Sequence, residues 1–180
     1  MSMTGNARPG QEQQLVTLGI GQEVFGVPVS AVLEILDMRP MFRLPEAPPY
    51  LAGLIDVRGR GVPAIDLRVK LGLPTVPATE NTRILVLEVM VGERPVTLGL
   101  IADRVIEVIS LVLDDIEPTP EIGLRWRSDY IHGIGRRNDS FVIIFNLPNL
   151  FSREEAMLID RTGATRSETL LSAAAGQTAA

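Results

Sequence analysis

The sequence contains no cysteine and a single histidine, His132. The first absence excludes a disulfide framework, a thiolate nucleophile and any cysteine metal site. The second removes most zinc and iron sites built from imidazoles. Aromatic residues make up only 4% of the chain, so its core must be aliphatic. Basic residues are outnumbered, with 17 Lys and Arg against 22 Asp and Glu and a net charge of −5. A nucleic-acid partner, which calls for a basic face, is therefore disfavoured. No apolar run approaches the ~20 residues of a membrane span. The opening "MSMTGNARPGQEQQ" has no hydrophobic signal core. These absences lead to the expectation of a soluble cytoplasmic protein.

What is present is aliphatic and punctuated by turns. Hydrophobic residues reach 46%, with 13 prolines and 16 glycines. Val, Ile and Leu dominate, and the β-branched residues favour strands. Residues 1–12 and 161–180 are expected to be flexible tails around a folded unit at 13–160. "QQLVTLGIGQEVFGVPV" predicts a hairpin, with strands Leu15–Ile20 and Glu23–Val29 around a Gly21-Gln22 turn. "SAVLEIL" fits a short helix capped by Ser30 or a strand. Ile55–Val57 and Val62–Ile65 flank the tight "RGRG" turn. "DLRVKLG" predicts one helical turn, capped by Asp66 and ended near Gly72. "PTVPATEN", residues 74–81, is the internal linker. "TRILVLEVMV" and "RPVTLGLIADRVIEVISLV" follow as long strands around a Gly92-Glu93 turn. A last hairpin is expected at Ile131–Ile134 and Phe141–Phe145, then a helix from Pro148 to Asp160.

Two echoes run through this pattern. "YLAGLIDVRGRGVPAIDL", from Tyr50, resembles "YIHGIGRRNDSFVIIFNL", from Tyr130, 80 positions later. "GVPVSAVLEIL" aligns without gaps with "GLIADRVIEVI", 73 positions later, matching Gly26 to Gly99, Val32 to Val105 and Glu34 to Glu107. Two echoes in the same order imply two similar β-units. Each is too small for a good core alone, so they should share a core or exchange strands.

Candidate sites are few, and each has a plain structural alternative. The "RGRG" tip, Arg58–Gly61, could offer guanidinium groups to a partner carboxylate or phosphate, or be a soluble turn with charged gatekeepers. Asp56, Asp66, Asp103, Asp114 and Asp115 stand near strand ends, where caps and turns account for them. His132 has no accompanying nucleophile motif, and its glycine-rich strand context predicts a partly buried structural role. Trp126 fits an interface anchor or a packed barrel end. Arg136 and Arg137 fit a solvated turn. Val32, Ile35, Val105 and Val108 occupy equivalent positions in the two units. They fit either an apolar groove for a partner helix or the core between the units.

The run "GLIDVRGRGVPAIDLRVKLGLP" resembles the signature of CheW-type chemotaxis coupling proteins. "LVTLGIGQEVFGVPVSAVLEIL", "LGLIADRVIEVISL" and "DYIHGIGRRNDSFVIIFNLPNLFSREEAMLID" are similar to the rest of that family, in order, over residues 13–160. The resemblance implies a mainly β fold: two intertwined, five-stranded β-barrels of the Src-homology type sharing a core, with short helices and a C-terminal helix. It implies no catalysis and no cofactor. It implies an adaptor that bridges the cytoplasmic tip of a chemoreceptor and the regulatory domain of a chemotaxis histidine kinase, recruited to membrane receptor arrays and able to join rings with the kinase domain. Carried over by position, Val32, Ile35, Arg58, Arg83 and Val108 would meet the receptor, and Glu34, Gly53 and Asp56 the kinase. The chain departs from the family at Asp56, usually Asn, and at Arg83, usually aliphatic. An amide donates and accepts, whereas a carboxylate at neutral pH only accepts. Related scaffolds serve surface motility, biofilm or developmental pathways. More remote readings are a small-ligand barrel and an enzyme, the latter requiring a convergent site around His132, Asp129 and Asp139.

Overall fold

A computed structural model describes residues 10–118 and 128–163; Trp126 lies outside the described residues. Ten strands dominate: β1 (Glu12–Ile20), β2 (Glu23–Pro28), β3 (Val32–Asp37), β4 (Leu51–Val57), β5 (Arg60–Asp66), β6 (Arg83–Val91), β7 (Arg94–Ala102), β8 (Arg104–Val112), β9 (Ile131–Arg137) and β10 (Ser140–Phe145). Short helices α1 (Leu67–Lys70) and α2 (Leu147–Leu150) follow β5 and β10. A third helix, α3, covers residues 153–163.

The strands form two curled five-stranded sheets. One has the order β8-β1-β2-β10-β9 and the other β3-β6-β7-β5-β4. Each sheet takes a hairpin from one half of the chain and three strands from the other, so the halves are intertwined. The hairpin β1–β2 corresponds to β6–β7, and β2–β10 and β7–β5 are the parallel pairs. The sequence echoes therefore mark equivalent places in the two sheets. Gly26 pairs with Ile144, and its counterpart Gly99 pairs with Ala64. A Cβ on Gly99 would stand 2.8 Å from the Ile84 side chain, and one on Gly26 would stand 3.2 Å from Val142. A side chain at Gly99 would thus require Ile84 to shift, and Gly26 is closely packed.

The uninterrupted apolar runs have a direct cause. On β6, Ile84 and Val86 face a small cluster within their own sheet, while Leu85, Leu87 and Val89 face the larger cluster between the sheets. On β10, Val142 and Ile144 face inward, and Ile143 and Phe145 face the shared core. Strands buried on both faces read as continuous hydrophobic stretches rather than as alternation. Phe25 and Phe145 stack in the shared core with centroids 4.7 Å apart.

Three local expectations are refined. "SAVLEIL" is a strand after a single 3-10 turn. The long segment after Gly92 is two strands in different sheets, parted at Asp103. The single terminal helix is two pieces, because Phe151 is extended at φ −121° and ψ 143° and is buried in the core. α3 then starts afresh with a capping box. Ser152 Oγ accepts from Glu155 N at 3.1 Å, and Glu155 Oε2 accepts from Ser152 N at 3.2 Å. α1 ends in a Schellman turn: Gly72, at φ 72°, donates to Val69 O and Leu73 donates to Arg68 O.

Candidate functional site

The "RGRG" segment forms a two-residue hairpin turn between β4 and β5. Arg58 and Gly59 have φ of 53° and 82°, the left-handed pair of a type I′ turn. Asp56 Oδ1 accepts from Gly59 N at 2.8 Å and holds the turn. Arg58 is thus carried at a backbone conformation that costs a non-glycine residue energy, with its own side chain 82% exposed. Its guanidinium meets Glu34 on β3 at 3.5 Å. Arg39 Nη1 donates to Asp56 O at 2.9 Å.

This contact lies where the curled sheet closes on itself. Phe42 and Leu54 exchange backbone hydrogen bonds, both at 2.8 Å, joining the segment after β3 to β4. Gly53 sits against that junction, where a Cβ would stand 2.7 Å from Phe42 O. The other sheet repeats the arrangement. Glu117 and Ile134 exchange hydrogen bonds at 2.9 and 2.8 Å. A Cβ on Gly133 would stand 2.8 Å from Glu117 O. Arg137 meets Glu107 at 3.2 Å, beside the Asn138-Asp139 turn with φ of 47° and 62°. The glycine common to "YLAG" and "YIHG" is the residue that lets each sheet close.

β3 and β8 are the corresponding edge strands, β3 pairing only with β6 and β8 only with β1. Each carries a bulge at the same place, leaving Leu33 and Ile106 out of the ladder and 57% and 44% exposed. Ile35 and Val108, also equivalent, are 43% and 57% exposed. Val32 and Val105 are half-buried and pack on the shared core. The two plain readings of these four residues are therefore divided: the valines at 32 and 105 belong to the core, and Ile35 and Val108 face outward.

The structure gathers Glu34, Asp56 and Arg58 at one sheet closure, with Ile35 beside Glu34 on β3. Gly53 is buried beneath them and acts through backbone shape. Val108 stands on the edge of the other sheet. Arg83, at the start of β6, pairs with Asp37 at 3.3 Å and donates to Glu80 O and Thr82 O at 2.8 and 3.0 Å. It is thus tied to Asp37 at the end of β3, three residues beyond Glu34.

Other candidates have structural roles. Asp66 Oδ1 caps α1, accepting from Arg68 N at 2.9 Å. Asp103 binds the Arg68 guanidinium through both carboxylate oxygens, at 2.9 and 2.5 Å, and accepts from Gly21 N at 2.7 Å. The Arg68 hydrogen bonds lower the Asp103 pKa, reinforced by Gly21 and opposed by partial burial. Arg136 lies over the Phe141 ring at 5.2 Å. His132 is exposed, which corrects the expectation of a partly buried histidine: it alternates with buried Ile131 and Gly133, so its side chain takes the outer face of β9. Five residue steps of strand carry the chain from His132 to Arg137, roughly 17 Å, and Asp139 lies in the turn beyond, so His132 and Asp139 are at opposite ends of β9. Among the described residues, no three His, Asp or Glu side chains gather where a metal ion could sit, and no helix is long and apolar enough to cross a membrane.

Sequence reasoning missed the cluster around Lys70. Its ammonium, on a side chain only 6% exposed, meets Glu155 at 2.6 Å. It also lies 4.8, 5.5 and 5.1 Å from the ring centroids of Tyr50, Tyr130 and Phe151. Burial, with the Glu155 charge second, pushes the Tyr50 pKa up to about 12. The signals were present in the Tyr50/Tyr130 echo and the "SREE" capping box.

Comparison with known proteins agrees with this architecture. Residues 14–155 match the family model for the CheW-like domain. The chain is 35% identical over 151 residues to the chemotaxis protein CheW of Klebsiella aerogenes, covering 84% of this chain and 87% of that protein. It is 32% identical to the chemotaxis protein CheW of Helicobacter pylori over 152 residues, covering 83% and 89%. The crystal structure of the scaffolding protein TtCheW from Thermoanaerobacter tengcongensis superposes with a TM-score of 0.73 at 28% identity, covering 85% of this chain and 96% of that one. Sequence match, sheet topology and duplicated closure lead to one conclusion: the chain belongs to the CheW-like domain family.

Proposed function

We propose that this chain is a non-catalytic adaptor that couples chemoreceptors to a chemotaxis histidine kinase. The observation that carries the reading is the pairing of an exposed aliphatic edge with an arginine held out at a strained turn. Ile35 and Arg58 flank Glu34 on one sheet, and Val108 repeats the exposed aliphatic position on the other. An amphipathic receptor helix would lay its apolar face on Ile35, Val108 and the half-buried Val32. Its polar groups would compete with Glu34 for Arg58, whose 3.5 Å contact is loose and open to water. Arg83, locked to Asp37 and two carbonyls, would border this surface rather than reach into it. Glu34, Asp56 and the backbone around Gly53 would form the face for the kinase regulatory domain, with Asp56 offering only acceptors there. Signalling would then pass through a shift in how the receptor-bound scaffold holds the kinase, at arrays on the membrane.

The test is receptor co-sedimentation by Ile35→Lys and Val108→Lys. Both positions are exposed, so folding should be retained, and each charge should weaken association at least tenfold. Association at the wild-type level by both folded variants would reject these edges as the receptor surface.

A further inference from the structure

α3 follows β10 and α2 of one sheet, yet its polar anchors lie on the other. Glu155 meets Lys70, which ends α1 directly after β5. Asp160 meets Arg94 on β7 at 2.8 Å. A Cβ on Gly163 would stand 3.2 Å from Pro63 and 3.3 Å from Gly61 O, both on β5. The apolar attachment is thin: within the helix only Ala156 and Ile159 are buried hydrophobic residues, while Met157 and Leu158 are each 42% exposed. A cleft of about 300 Å³ separates Leu158 and Arg161 from the 44–48 segment. A helix this short does not persist alone in water, so its order depends on docking.

We propose that α3 is a releasable strap laid from one sheet across to the other, and that the Lys70–Glu155 pair is its latch. Glu155 Oε2 serves twice, receiving the Lys70 ammonium and closing the capping box on Ser152 N. Helix initiation and docking are thereby joined in one atom. Lys70 is nearly buried whereas Glu155 is 31% exposed, so the carboxylate is the half that water or a competing cation can reach. The equivalent tyrosines Tyr50 and Tyr130 both face Lys70, so the latch lies where the two halves of the chain meet. The position corresponding to Lys70 in the other half is Leu150, leaving a single cation in the cluster.

The experiment uses the whole chain and needs neither receptor nor kinase, so it stands or falls separately from the adaptor reading. Glu155→Gln keeps the capping-box geometry, which glutamine supports, but leaves Lys70 without its counter-charge. Amide exchange in residues 153–163 should quicken at least tenfold while β6 and β7 stay protected. Because the chain has no cysteine, Ser140→Cys on β10 and Arg161→Cys on α3, both exposed, give unique spin-label sites. Their distance distribution should broaden in the same variant. Lys70→Met combined with Glu155→Gln removes both charges and so relieves the uncompensated buried ammonium, yet residues 153–163 should still exchange more than about threefold faster than wild type, because the latch is missing. Unchanged exchange in Glu155→Gln, exchange that rises equally throughout the fold, an unaltered distance distribution, or a double variant as well protected as wild type would each overturn the proposal.

Discussion

Replacing Arg58 by glycine separates what this residue does for the fold from what it does for a partner. Arg58 sits at φ 53°, and the left-handed conformation costs a non-glycine residue about 1–2 kcal/mol. Glycine removes that strain but adds unfolded-state entropy worth about 0.4–1 kcal/mol. The ion pair with Glu34 is lost as well. At 3.5 Å, with the Arg58 side chain 82% exposed, an ion pair of this kind contributes about 0–0.5 kcal/mol. The Asp56–Gly59 hydrogen bond that holds the turn is untouched. The sum places Arg58→Gly between about 0.5 kcal/mol less stable and about 1.6 kcal/mol more stable than wild type, a Tm between about 2 °C lower and about 6 °C higher. Receptor co-sedimentation by the same protein should fall at least tenfold. Thermal unfolding followed by circular dichroism gives the first quantity and a pelleting assay the second. A Tm lowered by several degrees with receptor binding intact would refute the reasoning, since Arg58 would then be a structural residue of the turn.

Two further outcomes follow from contacts elsewhere. Gly53→Ala and Gly133→Ala should each cost about 2–4 kcal/mol, because the added methyl meets a backbone carbonyl 2.7 or 2.8 Å away at a sheet closure; chemical denaturation checks this, and a loss below 1 kcal/mol at both would contradict the closure argument. Asp103 has a lowered folded-state pKa, chiefly through its Arg68 hydrogen bonds. Its stabilisation is therefore fully present above the unfolded value near 3.9 and is lost as pH falls through the folded value below that. Asp103→Asn should cost about 1–3 kcal/mol at pH 7 and progressively less toward pH 2, whereas a pH-independent deficit would speak against it.

The sequence carried much of the fold because strand burial on both faces writes itself as unbroken Val, Ile and Leu. The 80-residue echo was readable for a steric reason, since Gly53 and Gly133 tolerate no side chain where the backbone closes. What stayed hidden depends on partners distant in the chain. A single residue, Asp103, divides β7 from β8, and nothing local to it says that the next strand joins the other sheet. The break at Phe151 was obscured because helical spacing continues across it; only the Ser152–Glu155 box marks the new start. The side of β9 on which His132 emerges was masked by Gly133 and Gly135, which leave no apolar alternation to set the register. Within the candidate site, Arg58 and its turn were legible from "RGRG", while the pairing of Glu34 with Arg58 and of Glu107 with Arg137 required the curl of the sheets.

The most direct test of the adaptor reading is co-sedimentation of the purified chain with receptor-bearing membranes, with and without the histidine kinase from the same cell. The account predicts that the chain pellets with receptor and that kinase pellets only when the chain is present. A chain that stays in the supernatant, or a kinase that pellets equally well without it, would contradict the claim that this scaffold couples the two.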